Sequence, residues 1–372
     1  MLNTIMFFLP SLGGGGAERT VIQLANNLVR QGRKVDVVVC DISGVKGKLL
    51  SEVDPQIQLI DLSCGRVANA IFPLKKLLQA VDYDVLVATQ THSNIIAALA
   101  RRLAKSQVQL ILREVSTPSK NMKLQGMAKW LLKTLVKMTY PSASQVVCVS
   151  NGVLEDFREY YAYAQNNLVT IYNPVIDEIY AEKQQATVEH RFFQPEHKVI
   201  LAVGRLTEAK NFGFLIRSFH ALHQYHPETR LIILGEGELR AEFESLIQQL
   251  GLAGVVDLPG FDPNPYAYFK YAELFVLSSN WEGLPGVLIQ ALASKIKVVS
   301  TNCPSGPKEI LADAKFGLLV ECNDLAGMTA AMQQAIFGEY VRYDDTELAE
   351  HCLQFHKHTV QQRYLELMEP CA

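Results

Sequence analysis

The feature that most constrains this chain is a rhythm. Short β-branched apolar runs alternate with stretches of helical period, and the series runs its course twice. The first series comprises Thr4–Leu9, Val35–Cys40, Gln58–Asp61, Val85–Thr89, Gln109–Arg113 and Gln145–Val149, with helices such as Ala17–Gln31 and Ile95–Ala104 between them. The second comprises Val199–Gly204, Arg230–Leu234, Val255–Leu258, Leu274–Ser278, Val298–Ser300 and Gly317–Val320. Strands separated by helices build βαβ units and hence a parallel sheet. A chain of 372 residues exceeds one ordinary core, so the reading is α/β with two doubly wound domains. The joint falls at Ile171–Val175, where Pro174 cannot continue a ladder and holds Asn173 extended. Residues 180–197 read as irregular, and Thr346–Met368 as helical.

Composition excludes several classes. No apolar run reaches the ~18 residues of a membrane span, and Met1–Leu9 is too short and too poor in basic residues for a signal peptide. The seven cysteines (40, 64, 148, 303, 322, 352 and 371) are odd in number and hold no Cys-x-x-Cys pair. That points to a reduced, cytosolic protein without structural zinc. The net charge of −3 is uneven: residues 1–172 hold 19 Lys+Arg against 12 Asp+Glu, and residues 173–372 hold 16 against 26. Either the first half faces something anionic, or the asymmetry is ordinary surface variation.

In open α/β sheets ligands sit at the carboxyl ends of strands. Three glycine-rich turns follow strands here. Asn280-Trp-Glu-Gly-Leu-Pro-Gly-Val287 links the strand Leu274–Ser278 to a helix start. Unpaired first-turn amides and the helix dipole make such a start an anion site, and Glu282 beside it can accept sugar hydroxyls. Gly204-Arg205-Leu-Thr-Glu-Ala-Lys210-Asn211 places two cations on one loop, suited to a phosphate group and to the charge that grows on a leaving diphosphate. Gly13, Gly14, Gly15 and Gly16 open the first helix, either as a flexible loop or as one that folds over a phosphate or acceptor sugar. Their spacing fits poorly with a nicotinamide fingerprint. Gly260-Phe261 reads equally as a base-reading edge or a plain turn. Asp82-Tyr83-Asp84 lies at the amino end of its strand and reads as a turn rather than a metal site; no metal is expected. His92 is a catalytic candidate or a cap. Arg113-Glu114 ends a strand, with Glu114 a candidate base or half of an ion pair.

Between Ser119 and Pro141 the chain carries Lys120, Lys123, Lys129, Lys133 and Lys137 around Trp130, and no acid occurs from Val115 to Leu154. One reading is a basic amphipathic helix for an anionic membrane surface. The other is a helix with one core face and a lysine-rich solvent face. No nucleic-acid motif accompanies it.

Together, the early glycine loop, Gly204-Arg205…Lys210-Asn211, Glu282-Gly-Leu-Pro and Cys303-Pro-Ser-Gly-Pro-Lys-Glu309 resemble the family-4 retaining glycosyltransferases of the GT-B fold, over nearly the whole chain. The Pro-Ser-Gly-Pro version looks like bacterial members that build lipid-linked or surface polysaccharides. The resemblance implies two Rossmann-like domains facing a central cleft. An acceptor domain would span 1–172, a nucleotide-sugar domain 173–350, and a helix within 351–372 would return to the first domain. It implies a UDP-sugar co-substrate, a glycan or lipid-linked acceptor, no metal or other cofactor, and work at the inner face of the cell membrane. It assigns Arg205 and Lys210 to the donor diphosphate and Glu282 to the donor sugar. Leu284, Gly286 and Val287 would offer backbone contacts to sugar and phosphate, Gly13–Gly16 would close over the donor phosphate and the acceptor, and Gly204, Phe261, Gly283 and Gln290 are further donor-binding candidates. Two positions depart from the family pattern. Gln290 stands where a ribose-gripping Glu is usual, and Arg113-Glu114 where a His is usual, which leaves His92 as a candidate substitute. An epimerase of the same fold and a non-catalytic nucleotide-sugar-binding protein stay open at this stage.

Overall fold

A computed structural model describes residues 4–121, 125–178, 180–341 and 343–369. The chain divides into two compact units: residues 1–174 with 358–372, and residues 175–357. The division falls within one residue of Pro174, and residues 351–357 stay with the second unit.

The first unit holds a seven-stranded sheet of β1 (Thr4–Leu9), β2 (Lys34–Val39), β3 (Gln58–Asp61), β4 (Val85–Thr89), β5 (Gln109–Glu114), β6 (Gln145–Cys148) and β7 (Leu168–Thr170). Their order is β3-β2-β1-β4-β5-β6-β7, and every pairing is parallel. The strand β7 has no counterpart in the sequence reading; it is three residues long and half-buried. Both faces of the sheet are covered. On β1, Ile5, Phe7 and Leu9 join one core cluster, while Met6 and Phe8 are equally buried on the other face. That is why the strands read as continuous apolar runs rather than alternating ones. The first core is completed from far along the chain: Val360, Tyr364 and Met368 of the helix Lys357–Met368 pack into it. Gln109 Nε2 also donates to Leu367 O at 2.9 Å.

The second unit holds β8 (Lys198–Val203), β9 (Thr229–Leu234), β10 (Val256–Gly260), β11 (Leu274–Leu277), β12 (Lys297–Thr301) and β13 (Leu318–Val320). The order is β10-β9-β8-β11-β12-β13, again all parallel. Its core gathers Ile200, Ala202, Ile233 and Val276 from the sheet with Phe212, Leu215 and Phe219 from the helix Phe212–His223. The irregular-looking segment after residue 179 contains one short helix, Tyr180–Gln185. The C-terminal helical stretch is interrupted. The helix Asp345–Cys352 is followed by a tight turn at Leu353–Phe355 before Lys357–Met368 begins.

Candidate active site

In the second unit, β8 and β11 are the neighbours at which strand order reverses, and such a switch point opens a crevice at the carboxyl edge. The loops leaving both strands meet there. The loop after β8 is pinned from one side by glycines. A Cβ on Gly235 would lie 1.9 Å from the Gly204 carbonyl oxygen, and one on Gly237 would lie 2.4 Å from that of Leu206. Backbone bonds from Gly204 N to Leu234 O (2.9 Å) and Leu206 N to Glu236 O (2.9 Å) hold the approach.

From the other side the same loop is stitched to the loop after β11. Ser278 Oγ donates to Lys210 O at 2.8 Å, Asn280 N to Ala209 O at 2.8 Å, and Asn280 Nδ2 to Glu208 O at 2.9 Å. Asn211 closes the loop at φ 51°, a left-handed conformation that asparagine tolerates better than most residues. Its amide donates to Asn280 Oδ1 (3.0 Å) and Asn323 Oδ1 (2.9 Å). The loop after β12 joins in, with Thr301 Oγ1 donating to Ser279 O at 2.7 Å and Glu282 N to Pro304 O at 3.2 Å.

This framework sets Lys210 against Glu282. Lys210 Nζ lies 2.6 Å from Glu282 Oε1, and Ser279 Oγ donates to the same oxygen at 2.6 Å. The two side chains are only 18% and 12% exposed, so the pair is shielded from bulk water yet reachable. Beside it, the Cys303 thiol is pushed well up by burial and then by the negative charge of Glu282. Four residues beyond Glu282 the helix Gly286–Ala293 begins. Pro285 precedes it and no side chain caps it, so its first amides face outward at the positive end of the helix. Gly306, at φ 99°, backs this turn: a Cβ there would lie 2.4 Å from Pro285 Cδ.

The arrangement therefore offers a fixed carboxylate, a cation tied to it and the start of a helix within one short stretch. Gly283, Gly286 and Val287 sit at half-buried positions in that turn, and Leu284 is buried. Arg205, on the same loop as Lys210, stands exposed while Lys210 is locked against Glu282. Gln290 turns its amide away: Nε2 donates to Tyr266 OH at 2.8 Å, and the Tyr266 ring meets Tyr180 edge-on with centroids 5.0 Å apart. Phe261 follows β10 with 69% of its surface exposed. Among the described residues, no group of three or more His, Cys, Asp or Glu side chains is placed to hold a metal ion.

In the first unit, Gly13–Gly16 follow β1 and lead into the helix Gly16–Arg30, whose start also lacks a side-chain cap. Gly14 adopts φ 96°, and a Cβ on Gly15 would lie 2.3 Å from Glu18 Oε2, so the Glu18 carboxylate folds back over the loop. His92 is exposed in the first turn of the helix Thr91–Ala104.

Arg113 and Glu114 are fully buried and point to different partners. Arg113 donates to Tyr364 OH (2.7 Å), Asn173 Oδ1 (3.1 Å) and Thr89 Oγ1 (3.5 Å). Glu114 accepts from Thr91 Oγ1 (2.9 Å), Asn94 Nδ2 (3.0 Å) and the Tyr140 hydroxyl. Burial pushes the Glu114 carboxyl up from 4.5 to about 7, against the opposing pull of those three donors. Asp84 Oδ2 accepts from Thr4 N at 2.9 Å, and Tyr83 OH donates to Asp36 at 2.5 Å, which makes the Asp82–Asp84 segment a structural turn.

Lys120, Lys129 and Lys137 are exposed and Lys133 is half-buried; Lys123 lies outside the described residues. The sequence reading passed over Ser279 and Asn323, and it quoted Asn211 and Asn280 within motifs without giving either a role. Only Asn211 carried a local signal, an asparagine immediately before a helix.

Comparison with known proteins fixes the family. The chain matches the family Glycosyl transferases group 1 over residues 184–352 and Glycosyltransferase Family 4 over residues 14–178. It is 31% identical over 346 residues to a Campylobacter jejuni protein, with 90% of each chain covered. That protein is named N-acetylgalactosamine-N,N'-diacetylbacillosaminyl-diphospho-undecaprenol 4-alpha-N-acetylgalactosaminyltransferase. The chain belongs to the family 4 glycosyltransferases. A second Campylobacter jejuni relative of the transferase is named for adding α-1,4-N-acetyl-D-galactosamine to a diNAcBac-PP-undecaprenol-linked glycan. It is 26% identical over 376 residues, with 98% of each chain covered. Among solved structures, Anabaena HepE in complex with UDP and glucose superposes with a TM-score of 0.77 at 18% identity, covering 98% of the transferase and 99% of HepE. The lipopolysaccharide outer core galactosyltransferase WaaB gives 0.73 at 16% identity, with 99% of each chain covered. At such identities the likeness is one of fold, and that fold is GT-B.

Proposed function

We propose that the transferase moves a hexose or N-acetylhexosamine from a UDP-sugar to a hydroxyl of a lipid-linked glycan, with retention at the anomeric carbon. It would do so in the assembly of a bacterial surface polysaccharide or glycoconjugate. The locked Lys210–Glu282 pair beside the uncapped start of the Gly286–Ala293 helix carries this reading. The names of the Campylobacter relatives support a lipid-linked acceptor.

In this reading Glu282, oriented by Ser279 and Lys210, accepts hydroxyls of the donor sugar. The amides of Gly286 and Val287, with Lys210 and Arg205, hold the diphosphate. Cations and dipoles fixed before the bond breaks stabilise the charge that grows on the leaving group. Glu282 Oε1 is engaged by Lys210 and Ser279, and in this reading the acceptor proton passes to an oxygen of the departing diphosphate rather than to a protein base. No metal is assigned a role. The acceptor brings the transferase to the inner face of a membrane. No described helix is long and apolar enough to cross one, so the contact would be peripheral.

A thermal-shift screen of nucleotides and nucleotide sugars, followed by UDP release with lipid-linked acceptors, tests the proposal. A ligand at a hundredfold excess over its dissociation constant stabilises by ~2.7 kcal/mol. Stabilisation by UDP-sugars with acceptor-dependent UDP release is expected. Preference for another nucleotide, or rapid interconversion of the sugar without acceptor, would overturn it.

A further inference from the structure

Two cysteines meet at the carboxyl edge of the first sheet. Cys40 follows β2 and is buried, with 1% of its surface exposed. Cys64 follows the neighbouring strand β3 and is half-buried. Cys64 N donates to Cys40 O at 2.9 Å, and Cys64 Sγ lies 3.5 Å from the same oxygen. The two thiols are also within hydrogen-bonding reach of each other. A disulfide needs Cα atoms within about 7 Å and sulfurs turned together, and these two residues stand side by side with their sulfurs in contact.

The turn that carries Cys64 is fixed. Ser63 and Gly65 flank it at φ 47° and 70°, both left-handed. Ser63 N donates to Asp61 Oδ1 at 2.8 Å. Arg66 N and Asn69 Nδ2 donate to Cys64 O at 2.7 Å and 3.0 Å. The sulfur of Cys64 is therefore held against Cys40 by a braced backbone.

Cys40 also bears on the glycine-rich loop. Its N–H donates to Pro10 O at 3.2 Å. The next residue, Asp41, accepts from Ser43 N at 2.8 Å and from Lys46 Nζ at 2.5 Å, and so shapes the loop 41–49. That loop grips Leu12 by two backbone bonds, Leu12 N to Lys46 O (2.7 Å) and Leu49 N to Leu12 O (3.0 Å). Leu12 directly precedes Gly13.

We propose that Cys40 and Cys64 form a reversible modification site, oxidised by a low-molecular-weight disulfide to a Cys40–Cys64 bond that fastens β2 to the turn after β3 and steadies the Leu12 anchor of the glycine-rich loop. Cys64 Sγ, as thiolate, attacks one sulfur of the small disulfide and releases one small thiol. Cys40 Sγ then loses its proton, attacks the sulfur of Cys64 and releases the second. The protein gives up two electrons and two protons, and the small disulfide takes both as two thiols. Burial, then the charge and hydrogen bond of the Cys64 thiol, with Asp61 and Asp41 adding to them, push the Cys40 thiol up to about 12. The half-buried Cys64 therefore attacks first, and closure by Cys40 is the slow step.

The test treats the reduced full chain with oxidised glutathione at pH 8, blocks the remaining thiols and maps the peptides by mass spectrometry. A peptide pair joined through Cys40 and Cys64, two hydrogens lighter and restored by dithiothreitol, is expected. Cys40→Ala keeps the buried site apolar and should stop at a glutathione adduct on Cys64. Cys64→Ser, at the half-buried position, should show neither bond nor adduct at Cys40. The oxidised protein should melt about 4–8 °C higher than the reduced one. Hydrogen exchange at the Leu12 and Leu49 amides should slow at least roughly threefold on oxidation. A glutathione adduct on wild-type Cys64 that never closes overturns the proposal. So does a Cys303–Cys322 bond formed while Cys40 and Cys64 stay reduced. Unchanged exchange at Leu12 with the Cys40–Cys64 bond in place overturns the link to the glycine-rich loop.

Discussion

The buried carboxyl of Glu114 makes a prediction whose size follows from its surroundings. It is enclosed with Thr91, Asn94 and Tyr140, and burial raises it from 4.5 to about 7. A carboxyl whose folded pKa lies above its unfolded one keeps its proton longer in the native state. Stability from this group is therefore fully present below about pH 4.5 and is lost as pH rises to about 7, after which the difference is constant. The displacement corresponds to about 3 kcal/mol. Tyr140 and Cys148, raised by burial and by Glu114, stay neutral throughout and add nothing to the slope. Glu114→Gln keeps the shape, and Thr91 can turn to accept from the new amide. The variant cannot titrate. Its melting temperature relative to wild type should thus rise between pH 5 and pH 8 by about 6–12 °C for a unit of this size. The assay is thermal unfolding of both proteins at half-unit pH steps, reading the difference so that other groups cancel. Parallel profiles from pH 5 to 8 would mean that Glu114 ionises at its ordinary value, and the account of its burial would fail.

Three further outcomes are expected. Glu282→Gln keeps the size but weakens the bond to Lys210, and turnover should drop at least tenfold; unchanged turnover removes Glu282 from the site. Gly235→Ala forces backbone away from the Gly204 carbonyl and should cost roughly 3 kcal/mol or more, with loss of UDP-induced stabilisation in a thermal shift; a wild-type melting curve would refute the close approach. Arg113→Leu leaves the Tyr364 hydroxyl and Asn173 amide without their buried donor and should destabilise by about 2–4 kcal/mol, read as a lower denaturant midpoint.

The two parallel sheets were legible because strands buried on both faces must be apolar throughout and must be separated by helices. The glycine turns were legible because each follows such a strand. The framework of the site was not. Asn211 meets Asn323 across 112 residues, and Lys210 meets Glu282 across 72, distances over which no local pattern speaks. Arg113 and Glu114 look like an ion pair in sequence, but successive strand residues point to opposite faces. One reaches the C-terminal helix, and the other reaches Thr91 and Tyr140.

The placement of Val360, Tyr364 and Met368 in the first core has a consequence for biosynthesis. All seven strands of that sheet leave the ribosome almost two hundred residues before the helix that seals them. Until then Arg113 lacks its Tyr364 partner and an apolar groove lies open. The second unit, contiguous from 175 to 357, can close its own core first, so the half made earlier should be the half that matures last.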